Sequence, residues 1–260
     1  MIIISEKLNS SIPSVKKIFD SDNENALKAL IAEQYEAGAA MFDVNTAMCA
    51  DEVETGKKAI DDVILSTDAG IVVDSPSVDV TKKLLEYING RVDTIINSVS
   101  LSERSENIDL ALKFNSGIIV MLTDENGIPD TAEKRFANAE SMIKKLNEKG
   151  IKNDMIYIDP IIETVAVNDC AASTALETIA MIKKEFPAVH ITSGASNVSF
   201  GLPKRKIINA AFIALAAYFG MDAPICDVAA DGIKGAILAS EVIAGKDEFC
   251  MNYIEEFAGG

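Results

Sequence analysis

Histidine is almost missing from this chain: 260 residues contain one, His190, together with no tryptophan and four scattered cysteines, Cys49, Cys170, Cys226 and Cys250. A single imidazole supplies neither a His-rich metal centre nor a Ser-His-Asp system. Cysteines this far apart lack the close pairing that a zinc site or a redox dithiol needs. Neither a protein-bound metal nor a disulfide scaffold is therefore expected. Positive charge is also scarce. With 24 Lys+Arg against 40 Asp+Glu the net charge is −16, so the basic footprint of a nucleic-acid or anionic-membrane binder is absent. The longest apolar stretch, residues 207–219, is interrupted by Asn209, follows Lys204-Arg205-Lys206, and falls short of the ~20 residues of a membrane span. It reads as a buried helix. The first residues, Met1-Ile2-Ile3-Ile4-Ser5-Glu6, have no basic region before their apolar run and no small-residue cleavage site, which predicts a cytoplasmic protein.

What the chain does have is 48% hydrophobic and 25% charged residues, enough to bury a sizeable core. Short β-branched or apolar runs alternate with longer segments of helical period, the pattern of βα units around a parallel sheet. The strand candidates are residues 2–4, 41–45, 70–74, 94–98, 117–122, 155–158, 190–193 and 223–227. The helical stretches are 24–37, 51–66, 79–89, 103–114, 131–149, 171–185, 206–219 and 232–244, and 247–257 could form an extra closing helix. Eight units of about 32 residues match the usual size of a (β/α)8 TIM barrel. Thr131 is placed to cap a helix, Gly38 and Gly150 to stop one, and Pro203 to begin one. No linker, repeat or composition break divides residues 1–260, which read as one α/β barrel domain. A doubly wound open sheet has the same alternation, but it would not gather all eight strand ends around one site.

Those strand ends are where the polar chemistry lies: Glu6, Asp43-Val44-Asn45, Asp74-Ser75, Asn97-Ser98, Asp159-Pro160, Ser196-Asn197 and Asp227. Any one of them is an ordinary turn former or helix cap. Together they line one mouth with carboxylates and amides, almost free of Lys, His and Cys. Such a mouth suits a neutral heterocycle rich in hydrogen-bond donors.

The segment Gly194-Ala195-Ser196-Asn197-Val198-Ser199, taken with Asp43-Val44-Asn45, Asp74-Ser75, Ile96-Asn97-Ser98 and Ile158-Asp159-Pro160, resembles the pterin-binding methyltransferase family. The likeness is greatest to the methyltetrahydrofolate:corrinoid protein methyltransferases. It runs from residue 3 to about 248 and is most specific in the Ser-Asn-Val-Ser segment. Ile225-Cys226-Asp227 and Arg205 also fit. Where the family typically has Gly-Glu-Arg-Ile-Asn, this chain has Ser5-Glu6-Lys7-Leu8-Asn9.

The resemblance implies a single TIM barrel that moves a methyl group between the ring nitrogen of methyltetrahydrofolate and the cobalt of a corrinoid protein, with methyltetrahydrofolate or tetrahydrofolate as substrate. It makes Asp74 and Asp159 the carboxylates that hold the pterin, and Asn97 a pterin-contacting amide. Asn197 becomes both a pterin contact and the catalytic residue. Glu6, Asp43, Asn45, Ser199, Arg205 and Asp227 fall in supporting places. The chemistry is consistent with these roles. A carboxylate can accept two neighbouring N–H donors of a 2-amino-pyrimidinone edge. The departing ring nitrogen is a very poor leaving group without a proton, and an asparagine bond that strengthens as that nitrogen is protonated stabilises the transition state. Cobalt(I) attacks the methyl in line, so no covalent enzyme intermediate is needed. Base-off corrinoid binding resembles Asp-x-His-x-x-Gly, but Ala188 precedes His190 and Ser193 follows it. The corrinoid is therefore expected on a partner protein docked over the mouth, with His190 away from the chemistry. A homodimer is expected because family members are usually dimeric and because the apolar faces of 207–219 and 232–244 exceed what one barrel need bury. Two other readings are a dihydropteroate-synthase-like enzyme and a non-catalytic pterin-binding protein. The synthase's Asn-Val-Thr-Pro-Asp-Ser-Phe and Ser-Arg-Lys segments do not occur here.

Overall fold

The computed structural model describes residues 1–21 and 23–258. Its eight parallel strands are β1 (Ile4–Ser5), β2 (Met41–Val44), β3 (Gly70–Asp74), β4 (Thr94–Val99), β5 (Gly117–Met121), β6 (Ile156–Asp159), β7 (His190–Gly194) and β8 (Ala223–Cys226). Each pairs with the next, and β1 also pairs with β8 through Ile4 opposite Ile225, which closes the barrel in sequence order. The fold is a (β/α)8 TIM barrel, as the alternation of the sequence predicts. Strand and helix ends differ from the sequence reading by a residue or two in most places.

Side-chain parity explains where the polar residues end up. Successive strand residues point to opposite faces. Phe42, Val44, Ile71, Val73, Ile96, Ile118, Val120, Ile156, Ile158 and Ile191 pack outward against the helices. The residues of opposite parity, Ile4, Met41, Val72, Ile95, Ile119, Tyr157, Ala223 and Ile225, fill the barrel interior as a separate apolar cluster. Two residues further along six of the strands, β1, β2, β3, β4, β6 and β8, the same inward parity falls on Glu6, Asp43, Asp74, Asn97, Asp159 and Asp227. An apolar floor and a polar mouth thus follow from one alternation. The floor is closed by two side chains laid across glycines. A Cβ on Gly70 would stand 2.6 Å from Met41, and one on Gly117 would stand 2.9 Å from Tyr157.

The helices between the strands are α2 (Glu24–Glu36), α3 (Glu52–Ser66), α4 (Val78–Ile88), α5 (Glu106–Phe114), α6 (Ala132–Lys149), α7 (Ala171–Glu185), α8 (Arg205–Phe219) and α9 (Ile233–Ile243). Asp51, Ser77 and Thr131 cap α3, α4 and α6 by accepting from the N–H three residues on. Gly150 stops α6 in the left-handed conformation, with φ 100°. Pro203 does not begin a helix: it sits in a turn, Lys204 takes a left-handed φ of 51°, and α8 starts at Arg205. The expectation of a buried helix at 207–219 also needs correcting. Only one face of α8 is buried, the one carrying Phe212, Ile213, Ala216 and Ala217, while Ile207, Leu215, Tyr218 and Phe219 are exposed. An outer helix of a barrel has one side against the strands, so apolar content alone does not bury it. A short helix, α1 (Pro13–Asp20), was not anticipated. The segment 247–257 forms a 3-10 turn and then α10 (Met251–Phe257), held by Asp247 accepting from the backbone N–H groups of Asn252 and Tyr253. No described helix is long and apolar enough to cross a membrane.

Candidate active site

All ten residues singled out in the sequence lie at the C-terminal end of the barrel, where the strands deliver side chains from different parts of the chain to one opening. Nine of them fall into three hydrogen-bonded groups, and the Asn197 side chain stands outside all three.

The first joins β2, β3 and β4. Asn45 Nδ2 donates to Asp74 Oδ2 at 2.7 Å, and Asn97 Nδ2 donates to Asp43 Oδ1 at 3.3 Å. Asn45 itself is fixed by a parallel bridge to Asn9. Asp43 is buried, and burial holds its carboxyl well above the usual carboxylate range, reinforced by the neighbouring Asp74 charge and opposed by the Asn97 bond. Burial raises Asp74 too, against the Asn45 bond and the positive charge of Arg104.

The second group belongs to β6 and β7. Asp159 Oδ1 accepts from Ser193 Oγ at 2.6 Å and from the Ile161 N–H at 2.8 Å. Both bonds fall on one oxygen, which leaves Oδ2 for a ligand. Burial raises the Asp159 carboxyl, and these two bonds together with Arg135 pull the other way.

The third group spans β7, β8 and β1. Residues 195–199 turn as a short 3-10 segment after β7. Ser196 Oγ donates to Glu6 Oε2 at 2.9 Å, and Arg205 braces the turn from α8 through the Ser199 hydroxyl at 3.0 Å and the Ser196 carbonyl at 2.7 Å. Glu6 is raised by burial, partly offset by the Ser196 bond and raised further by Asp227. Asp227 is held between Lys7 Nζ at 3.1 Å and Gln34 Nε2 at 2.7 Å, and Gln34 in turn accepts from Ser5. Lys7 is therefore a strut for the β8 carboxylate. A cleft of about 510 Å³ opens here, lined by Glu6, Asn9, Asn197, Arg205 and Asp227 among others. Asn197 is exposed, and its amide has no hydrogen-bond partner among the described residues. It lies back over Gly194, where an added Cβ would meet its Nδ2 at 3.1 Å.

His190 opens β7 at the opposite end of the barrel, stacked on Tyr157 with ring centroids 4.7 Å apart and bonded to Asp222 at 3.2 Å. No group of His, Cys, Asp or Glu among the described residues is disposed to hold a metal ion. Gln34, Ser193, Arg104 and Arg135 were missed by the sequence reading. Two of them carried a signal. Gln34 continues the buried stripe of Leu27 and Ile31 on α2, and Arg135 stands in that of Ala139, Met142 and Leu146 on α6. A polar residue on an apolar stripe needs a buried partner.

Residues 9–227 match the family of pterin binding enzymes. The chain is 31% identical to the methylcorrinoid:tetrahydrofolate methyltransferase of Eubacterium limosum over 265 residues, which cover 100% of this chain and 97% of that one. A methionine synthase of Mycobacterium leprae is 29% identical over 250 residues, 82% of this chain and 20% of that longer protein. Among solved structures, a Yersinia pestis dihydropteroate synthase with a pterine-sulfa conjugate superposes with a TM-score of 0.70 at 15% identity, covering 93% of each chain. The Xanthomonas albilineans dihydropteroate synthase with 4-aminobenzoic acid gives 0.68 at 18% identity, over 94% of this chain and 93% of that one. At those identities the structural likeness is one of fold.

Proposed function

The chain belongs to the pterin binding enzyme family, and from that premise we propose that it moves a methyl group between the ring nitrogen of methyltetrahydrofolate and the cobalt of a corrinoid carried by a partner protein. The observation that carries this reading is the pairing of half-buried acceptor carboxylates, Asp74 and Asp159, with an amide at Asn197 that the protein leaves without a partner. Asp159 offers Oδ2 to the donor edge of the pterin, Asp74 offers a second acceptor across the mouth, and Asn97 stands between them on β4. Beside Asp74, burial raises the Asp43 carboxyl, which accepts from Asn97.

The bond that breaks joins the methyl carbon to the ring nitrogen; the nitrogen keeps the electron pair and takes a proton from solvent water. Asn197 accepts from that N–H as it forms, and a bond that strengthens along the reaction lowers the barrier rather than tightening ground-state binding. The corrinoid supplies cobalt(I), the electron-pair donor to which the methyl passes. Nothing in this chain resembles a histidine ligand for it, since His190 is held by Asp222 at the far end of the barrel. The partner is accordingly expected to dock over the mouth. The name of the Eubacterium relative, which joins a methylcorrinoid to tetrahydrofolate, supports both reactants.

We also propose a homodimer through the uncovered face formed by Ile207, Leu215, Tyr218 and Phe219 of α8 with Ile243, Ile254 and Phe257 nearby in the chain. Methyl transfer from methyltetrahydrofolate to free cobalt(I) cobalamin, followed by absorbance, tests the proposed activity, with the reverse reaction from methylcobalamin as its complement. Turnover is expected. Folded protein silent in both directions would favour a synthase or a non-catalytic pterin binder.

A further inference from the structure

Arg135 heads the described residues in buried size: its side chain is 1% exposed, yet it carries a full charge. It occupies a place on the inner stripe of α6 where an apolar residue would be expected. Its guanidinium spends its donors on two loops. Nε bonds the Pro129 carbonyl at 2.8 Å, one terminal nitrogen bonds the carbonyls of Pro160 and Ile161 at 2.9 and 2.6 Å, and the other bonds Glu163 Oε2 at 2.8 Å. A rigid fork with five N–H donors is the one side chain able to serve so many acceptors at once.

The Pro160 carbonyl and the Ile161 N–H belong to the same peptide unit. Arg135 holds the oxygen of that plane, and the N–H on its other side is the one that bonds Asp159 Oδ1. Ile161 has a left-handed φ of 62°, a costly conformation for a β-branched residue that persists only where its surroundings over-determine it. Without the fork, the plane has a ready relaxation: Ile161 returns to ordinary φ and its N–H turns away from Asp159.

We infer that Arg135 is a positioning residue for pterin binding: it fixes the Pro160–Ile161 peptide plane so that the N–H pins one oxygen of Asp159 and leaves the other to the ligand. The inference rests on the pterin reading of Asp159. Arg135 is also the charged side chain acting on the Asp159 carboxyl, alongside the neutral donors from Ser193 on β7 and Ile161. Its loss therefore both unpins the carboxylate and moves its ionisation to higher pH.

The test compares Arg135→Met, Arg135→Lys, Glu163→Ala and Asp159→Asn by calorimetric binding of methyltetrahydrofolate across neutral and alkaline pH, with thermal melting recorded for each. Arg135→Met is expected to lose about tenfold or more in affinity at neutral pH, with part of the loss recovered as pH rises. Arg135→Lys, which keeps the charge without the fork, should restore the pH profile but only part of the affinity. A merely structural arginine would lower the melting temperature and leave the profile in place. Glu163 is half-buried, and its removal loosens the outer end of the clamp without emptying the core; where Arg135→Met does not fold, Glu163→Ala is expected to show the same weakening at about threefold. Wild-type affinity and profile in Arg135→Met, or in Glu163→Ala where that variant carries the test, overturn the inference while Asp159→Asn stays weak. Wild-type affinity in Asp159→Asn overturns the pterin reading and the inference with it.

Discussion

Gly194→Ala should make the protein more stable and slower at once. Gly194 has φ −65° and ψ 87°, a backbone conformation open to alanine, so the substitution carries no strain of its own. Alanine restricts the unfolded chain more than glycine does and at a compatible site stabilises by ~0.4–1 kcal/mol. The new methyl, however, would lie 3.1 Å from Asn197 Nδ2. Comfortable contact is nearer ~3.5–4.0 Å, so the amide must swing by roughly half an ångström, which an exposed side chain without partners can do. Misplacement by ~1 Å costs about a hundredfold, and half of that displacement sets the expectation at about tenfold in the single-turnover rate of methyl transfer, with methyltetrahydrofolate affinity little changed. Asn197→Ala marks the limit of the series, with a loss of ~2.7–4 kcal/mol of transition-state stabilisation, or about a hundredfold to a thousandfold, and an unaltered melting temperature. Rapid mixing with cobalt(I) cobalamin and calorimetric melting supply both numbers. A Gly194→Ala enzyme that is stabilised and turns over at the wild-type rate would show that the position of the Asn197 amide does not matter to the reaction.

Asp74→Asn and Asp159→Asn should each weaken methyltetrahydrofolate binding at least about tenfold, since a lost charged hydrogen bond costs ~1.5–3 kcal/mol; titration calorimetry showing unchanged affinity in both would refute the pterin pose. Because burial raises both carboxyls and the acceptor is the ionised form, folate affinity should fall on acidification earlier than for an ordinary carboxylate. The stability linkage has the opposite sign. A carboxyl raised in the folded state costs stability as pH rises through its folded range, so Asp43→Asn should raise the melting temperature most at alkaline pH and least in acid, as read by melting across pH. Sedimentation at micromolar concentration should show a species of twice the 27.8 kDa chain mass, and Leu215→Asp or Tyr218→Asp should return it to a monomer. A wild-type protein that sediments only as a monomer refutes the dimer.

Strand parity was legible in the sequence because it needs nothing but alternation. Val72 followed by Asp74, Ile95 by Asn97 and Tyr157 by Asp159 put an apolar layer under a polar one. The caps at Thr131 and Gly150 were legible for the same reason, being local. The helix Pro13–Asp20 was not. It is only 8 residues long, and Ile12 before it gives no side-chain cap, so neither period nor boundary stands out. Partnerships between distant residues were equally hidden. Lys7 reaches Asp227 across 220 positions and Gln34 reaches it across 193, and no spacing rule predicts which of several carboxylates a given donor will meet. The exposed half of α8 was misjudged because hydropathy records what a helix could bury, whereas its neighbours decide how much of it they cover.

The closed floor of the barrel has a kinetic consequence. With Ile4, Met41, Val72, Ile95, Ile119, Tyr157, Ala223 and Ile225 filling the interior beneath the polar mouth, a ligand held at the mouth comes and goes on the mouth side. In the proposed pose, a small reactant seated on Asp74 and Asp159 would lie deeper than a macromolecule that reaches it from above. On the proposed reading the small reactant would then bind before the partner protein, and a partner resting on the rim would hold the inner reactant from exchanging with solvent while it stays.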